Sequence, residues 1–221
     1  MYQLHRGLHQ FKTEIHALNE EFFEKLAQGQ APDAVFITCS DSRIVPNLLT
    51  QTDPGQLFIV RNAGNIVPAH SDNTSGEEAT IEYALEGLKV QNIIVCGHTK
   101  CGAMAGILKP ESLAGMPSVE KWLATASRTK EIIDKHYSDL PFECQHSVIV
   151  QENVLAQLEN LRSLPCVARK LWKREVELHG WVYDIENGEV FVYDPIDEEF
   201  QPLRHGRDGT LELAEGLGMP R

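Results

Sequence analysis

Three short runs constrain the fold of this chain more than anything else in it: 34–38 (AVFIT), 56–61 (QLFIVR) and 92–96 (NIIVC). Each is apolar, rich in Val, Ile and Phe, and free of strict polar alternation, the pattern of strands buried on both faces of a parallel sheet. Parallel strands need crossover connections and helices over their faces, so the expected class is α/β. Between the second and third runs, 75–90 (SGEEATIEYALEGLKV) reads as a helix. Ser75 is placed to cap it, Glu77 and Glu78 suit its positive end, and Ala79, Tyr83 and Leu88 recur on or near one face. The order so far is β-β-α-β.

Ahead of the first strand, Leu4, Leu8, Phe11, Ile15, Leu18, Phe22 and Leu26 recur at steps of three and four, which predicts one long amphipathic helix over 2–28, ended by Gly29. Core packing is the expected use of that stripe, and packing on a partner subunit is the alternative. Residues 119–164 read as mostly helical, with a break at SDLPFE and a stop at Pro165, and a further helix is expected over 167–177. The run LHGWVYDIENGEVFVYDP alternates on both sides of Asn187-Gly188, a strong hairpin signal. A polar tail follows, and 203–221, rich in Gly and charge, is expected to be poorly ordered. Together these give a single α/β domain over 1–221. It has a mostly parallel central sheet flanked by helices, an N-terminal helical arm over 1–30 and a C-terminal β-hairpin.

Composition narrows the function. With 221 residues, the chain can bury one sizeable core. Its 20 Lys and Arg against 32 Asp and Glu give a net charge of -12, and no basic run forms a phosphate-binding stripe, so nucleic acid is not an expected partner. The opening MYQLHRGLHQ lacks the apolar core of a signal peptide, and no stretch approaches the roughly 18 apolar residues of a membrane span. The expectation is a soluble cytoplasmic protein without membrane contact. Five cysteines are an odd set without the dense spacing of a secreted scaffold, which favours metal or thiol chemistry over disulfides.

Two of the strands finish on metal-ligating side chains. VFITCSDSR puts Cys39 at the end of one, and IIVCGHTKCG puts His98 and Cys101 just past another. In a parallel sheet those ends share one edge, where ligands normally bind. Two thiolates and an imidazole form a zinc set, and three protein ligands leave a fourth position for water or substrate. Cys96 lies inside its apolar run and reads as a small buried hydrophobe, while Cys144 and Cys166 lack ligand companions and read as structural. Asp41 and Arg43 follow Cys39 at alternating positions, so the carboxylate can address a metal-held water and the guanidinium can grip the carboxylate in a bidentate pair.

The motifs C-x-D-x-R (Cys39 to Arg43) and H-x-x-C (His98 to Cys101), with PGQLFIVRNAGNIVP, ATIEYALEGLKVQNIIVCGH and LHGWVYDIENGEV, resemble those of the β-class carbonic anhydrases from about Leu26 to about Asp194. The plant-like, type I branch is the more similar one. The resemblance implies zinc bound by Cys39, His98 and Cys101, an Asp41–Arg43 catalytic dyad, and reversible hydration of CO₂ to bicarbonate and a proton. It also implies a homodimer or an oligomer of dimers, with N-terminal helices reaching over the neighbour. Phe58 and Tyr83 would wall the substrate slot, Gln30 would point an amide across the dimer interface, and Gly102 would allow close backbone approach near the metal. His70 and the remaining histidines read as surface residues rather than proton shuttles. Some members close the site with aspartate on zinc and bicarbonate in a pocket of tryptophan, arginine and tyrosine. Here Arg61 and Tyr183 match the last two, but Phe36 stands in the tryptophan position and lacks its N–H donor, which favours an open site with Asp41 held by Arg43. Two other readings keep the same zinc fold: a carbon disulfide or carbonyl sulfide hydrolase, and a silent assembly protein whose metal Asp41 closes permanently. Carboxysome association occurs among bacterial members, but no segment here reads as shell-binding.

Overall fold

The computed structural model describes residues 1–205 and 211–213. The three apolar runs are strands β1 (Ala34–Cys39), β2 (Leu57–Asn62) and β3 (Asn92–His98). β1 pairs in parallel with both β2 and β3, and every residue of β1 is buried, as a central strand covered on both faces requires. β4 (Glu177–Asp184) adds in parallel to β3, and β5 (Glu189–Asp194) turns back on it in the expected hairpin. The sheet then continues antiparallel through β6 (Glu199–His205) and β7 (Leu211–Leu213), in the order β2-β1-β3-β4-β5-β6-β7. It is therefore a mixed sheet, with a parallel half that carries the strand ends of interest and an antiparallel extension.

β6 lies where a polar tail was expected. Its anchor is Phe200, buried against Tyr193 with ring centroids 5.3 Å apart. Leu203 to His205 of the expected tail belong to β6, and residues 206–210 and 214–221 lie outside the described residues.

α3 (Pro46–Thr50) is an unexpected turn of helix between β1 and β2, and α4 (Gly76–Glu82) runs on as a π-turn over Tyr83–Gly87. Ser75 caps α4 as expected, its hydroxyl accepting the Glu78 N–H at 3.0 Å. After β3 come α5 (Gly102–Leu108), α6 (Pro117–Leu123), α7 (Ser127–His136), α8 (Phe142–Ser163) and α9 (Pro165–Trp172). Pro165 does not merely stop α8; it opens α9, where its missing N–H costs nothing. α9 ends before the expected Glu177, which instead begins β4. α8 lies against β3 so closely that a Cβ on Gly97 would stand 2.9 Å from Val154 Cγ2, which requires glycine there. No helix among the described residues is long and apolar enough to cross a membrane.

The N-terminal segment departs from expectation twice. It is not one helix but α1 (Tyr2–Gln10), a π-turn over Phe11–His16, a break at Asn19 (φ -132°) and α2 (Glu20–Ala27). Nor does its stripe enter the core: Leu4, Leu8, Phe11, Ile15 and Leu18 are 65%, 69%, 46%, 53% and 80% exposed. Only its end, Phe22 and Leu26, is half-buried; the periodicity reports a surface to be covered, and among the described residues Leu4 to Leu18 stay largely uncovered.

Candidate active site

The parallel strands deliver their C-terminal ends to one edge. Cys39 is the last residue of β1 and His98 the last of β3. The chain then turns through Lys100, which adopts φ 57°, so that Cys101 becomes the N-cap of α5. All three side chains are buried, their ligand atoms lie within 4.8 Å of one another, and the two sulfurs are 3.9 Å apart. His98 Nδ1 faces the Thr99 carbonyl at 3.0 Å. A carbonyl only accepts, so Nδ1 carries the proton and Nε2 keeps its lone pair. That Nε2 is buried without a hydrogen-bond partner among the described residues. A buried imidazole lone pair aimed among two thiols is costly by itself and fits a soft divalent cation such as zinc.

The two thiols are electrostatically unlike. Cys39 is held down by its hydrogen bond with Cys101, with further help from the Gly64 N–H. Cys101 is pushed well up by its bond to Cys39 and by burial. Cys96 is pushed up to about 12 by burial, which agrees with its reading as a small core residue.

Asp41 stands beside this group, its Oδ2 lying 3.9 Å from His98 Nε2. Arg43 forks it: Nε donates to Oδ1 at 2.9 Å, a terminal nitrogen to Oδ2 at 2.7 Å, and the Arg43 backbone N–H to Oδ1 at 3.0 Å. These bonds hold the carboxyl well below the usual carboxylate range, chiefly through the guanidinium. The same guanidinium donates to the Lys100 carbonyl at 3.1 Å, tying the Cys39 loop to the Cys101 loop.

Several residues support the site in ways the sequence did not signal, among them Arg61, which the resemblance offered only for a bicarbonate pocket. Arg61, on β2, donates to the carbonyls of Cys39, Asp41 and Ile44 at 2.8 to 3.1 Å, so its guanidinium braces the metal loop. The Thr99 hydroxyl donates to Asp184 at 3.0 Å and Lys100 pairs with Glu186 at 2.5 Å, fastening the turn to the β4–β5 hairpin. His146 of α8 meets the Cys101 carbonyl at 2.9 Å. Backbone carbonyls have no residue signature, so a partner elsewhere in the chain cannot be matched to them from sequence.

The other expected site residues are distributed as follows. Phe58 and Tyr83 meet, ring centroids 6.0 Å apart, with Tyr83 53% exposed. Gln30 is exposed on the segment between α2 and β1. A Cβ on Gly102 would meet nothing within 4 Å among the described residues, which leaves its backbone open at the start of α5. Phe36 is buried edge-on to Trp181 at 5.9 Å, and Tyr183 packs in the same cluster.

A family model described as carbonic anhydrase matches residues 34–190, which span every strand and loop of this site. The chain belongs to the carbonic anhydrase family. It is 45% identical over 199 residues to a carbonic anhydrase of Pseudomonas aeruginosa, covering 89% of each chain. Among solved structures it is similar to the β-carbonic anhydrase CcaA, at 44% identity and a TM-score of 0.88, covering 90% of this chain and 98% of that one. A tetrameric β-carbonic anhydrase of Sordaria macrospora is 31% identical, with a TM-score of 0.77 and coverage of 87% and 97%. The chain is thus a β-class carbonic anhydrase, an enzyme of CO₂ hydration. These relatives lend no support to a sulfur-substrate hydrolase or a silent assembly protein.

Proposed function

We propose that this carbonic anhydrase works as a zinc enzyme, with Cys39, His98 and Cys101 holding the metal and Asp41 and Arg43 managing the reacting water. The observation that carries the reading is the unpartnered His98 Nε2 buried among two thiols, with an ionised carboxylate 3.9 Å away. Zinc bound there supplies Lewis acidity, which brings the pKa of water towards neutrality. Asp41 then acts as an acceptor. Because Arg43 keeps it ionised and fixes both oxygens, it can take a hydrogen bond from the attacking water and cannot compete by donating one. The arrangement is an open one, with Asp41 spent on Arg43 rather than on the metal.

CO₂ is small and apolar, so its slot needs walls more than charges. Phe58 and Tyr83 offer adjoining rings for such walls, and the Gln30 amide offers a donor for a bicarbonate oxygen. The exposure of Tyr83 and Gln30 in a single chain favours a pocket completed by a neighbour, hence a homodimer or an oligomer of dimers, in keeping with the tetrameric relative. Five free cysteines, four of them buried, fit a reducing compartment such as the cytoplasm.

Stopped-flow CO₂ hydration tests the reading. Activity should track zinc content, fall on chelation and return on zinc addition. A zinc-loaded preparation without hydration activity would overturn it.

A further inference from the structure

Cys39 touches one segment that the catalytic reading leaves unused, residues 63–67, which follow β2 on the way to α4. Gly64 donates its backbone N–H to Cys39 Sγ at 3.4 Å. It does so at φ +84°, in a place where a Cβ would stand 2.9 Å from Met104 Cε and 3.1 Å from Ala103 Cβ. Asn65 follows at φ 48°, buried, with its Nδ2 lacking a hydrogen-bond partner. Two successive left-handed residues and an unpaired buried amide make a costly stretch of backbone that persists only if its surroundings hold it.

α8 holds it. Asn153, Gln157 and Asn160 recur at steps of four and three, on one face of the helix. Asn153 Nδ2 donates to the Gly64 carbonyl at 3.0 Å, Gln157 Oε1 accepts the Val67 N–H at 2.9 Å, and Asn160 Nδ2 donates to the Val67 carbonyl at 2.8 Å. The amides also brace one another: Gln157 Nε2 donates to Asn153 Oδ1 at 2.9 Å, and Asn160 Nδ2 to Gln157 Oε1 at 3.2 Å. Thr129 of α7 adds a longer bond to Asn153 Oδ1 at 3.4 Å. Asn153 and Gln157 are 1% and 0% exposed, so this helix commits its buried face to amides where apolar side chains would pack at less cost. The amides serve the backbone of one segment, and that segment delivers one N–H to a thiol.

We propose that Asn153, Gln157 and Asn160 are positioning residues for the metal centre: by holding the Gly64 carbonyl and Val67 they fix the segment that follows the Ala63–Gly64 peptide, whose carbonyl Trp122 Nε1 holds at 2.8 Å, so that the Gly64 N–H stays on the Cys39 sulfur. An N–H donated to a thiolate draws charge from the sulfur and sets its direction, which tunes both its grip on a cation and the electronic character of the bond. The proposal rests on Cys39 being a zinc ligand.

The test compares wild type with Asn153→Ala and Asn160→Ala by zinc affinity against a competing chelator. After cobalt replacement, it also compares the thiolate-to-cobalt charge-transfer band. Asn153→Ala should weaken zinc binding by about tenfold, the lower end of what outer partners of metal ligands contribute, and should shift the band. Asn160→Ala should change both in the same direction by less. A folded Asn153→Ala protein with wild-type affinity and an unmoved band would show that the amides serve the core alone. Should Asn153→Ala not fold, unchanged affinity and band in Asn160→Ala, whose side chain is only part-buried, would overturn the proposal equally. Failure of the wild type to bind zinc would instead strike Cys39 as a ligand and take this proposal with it.

Discussion

At the ends of β1 and β3, the groups around Cys39, His98 and Cys101 are served from within the chain: Arg61 grips the Cys39 carbonyl, His146 the Cys101 carbonyl, and Arg43 both Asp41 and the Lys100 carbonyl. Along α1 and the turn after it, Leu4, Leu8, Phe11 and Ile15 present an apolar stripe left largely exposed among the described residues. The first region is assembled by hydrogen bonds between loops that a rigid sheet already holds close. The second depends on apolar area, which gains nothing until another surface removes it from water. One copy of the chain therefore builds the metal-competent group by itself, and under the proposed function a second copy would cover the arm and the exposed rim at Tyr83 and Gln30.

Removing a ligand breaks the first region most severely. Cys39→Ala, His98→Ala or Cys101→Ala should each lose zinc and drop CO₂ hydration to the buffer rate, read by metal analysis and stopped flow. Full zinc with near-normal hydration in any one would remove that residue from the ligand set. Asp41→Asn sharpens the division of labour: zinc stays, and turnover falls roughly 10²- to 10⁴-fold, as expected for loss of a positioned proton acceptor. Zinc loss as large as in the ligand variants would put Asp41 on the metal.

The second region should fail differently. Leu8→Asp combined with Phe11→Asp places charges on the stripe and should shrink the assembly in sedimentation while leaving zinc per chain unchanged. An unaltered sedimentation profile would show that the stripe is not an interface. Gly64→Ala returns to the first region with a smaller effect. Backbone strain at φ +84° and the crowding by Met104 and Ala103 should lower stability by about 1–3 kcal/mol in thermal or denaturant unfolding. Stability equal to wild type would mean the segment is not under the constraint described.

The smallest effect concerns pH. Arg43 lowers the Asp41 carboxyl from its ordinary 3.8, so the pair's contribution is present above that value and fades as pH falls through the folded-state range below it. The stability difference between wild type and Arg43→Gln should be flat from neutrality down to near pH 4 and shrink below. Because Arg43 is largely solvated, the difference itself should be small. A difference that grows on acidification would contradict the assigned pair.

The Cys39, His98 and Cys101 group and the Asp41–Arg43 pair were legible in the sequence because their residues sit close together in the chain and are chemically distinctive. Cys39, Asp41 and Arg43 share one loop, His98 and Cys101 another, and apolar runs announce both strands. The supports were not legible. Arg61 acts on carbonyls, and α8 mixes Asn153 and Gln157 into the face that also buries Val150, Val154 and Leu161, which obscures its apolar stripe. β6 escaped because in EFQPLRH the buried residues Phe200, Gln201 and Pro202 include an amide and a proline, neither of which announces a strand. The arm misled for a physical reason: a stripe at helical spacing says that a face will be buried, not by which molecule, and the spacing runs unbroken across the Asn19 break.

Zinc K-edge X-ray absorption on the purified protein tests the central claim most directly. The account predicts a four-coordinate metal with two sulfur neighbours at about 2.3 Å and two lighter neighbours at about 2.0–2.1 Å. A single sulfur, three or more sulfurs, or a shell of nitrogen and oxygen alone would contradict it.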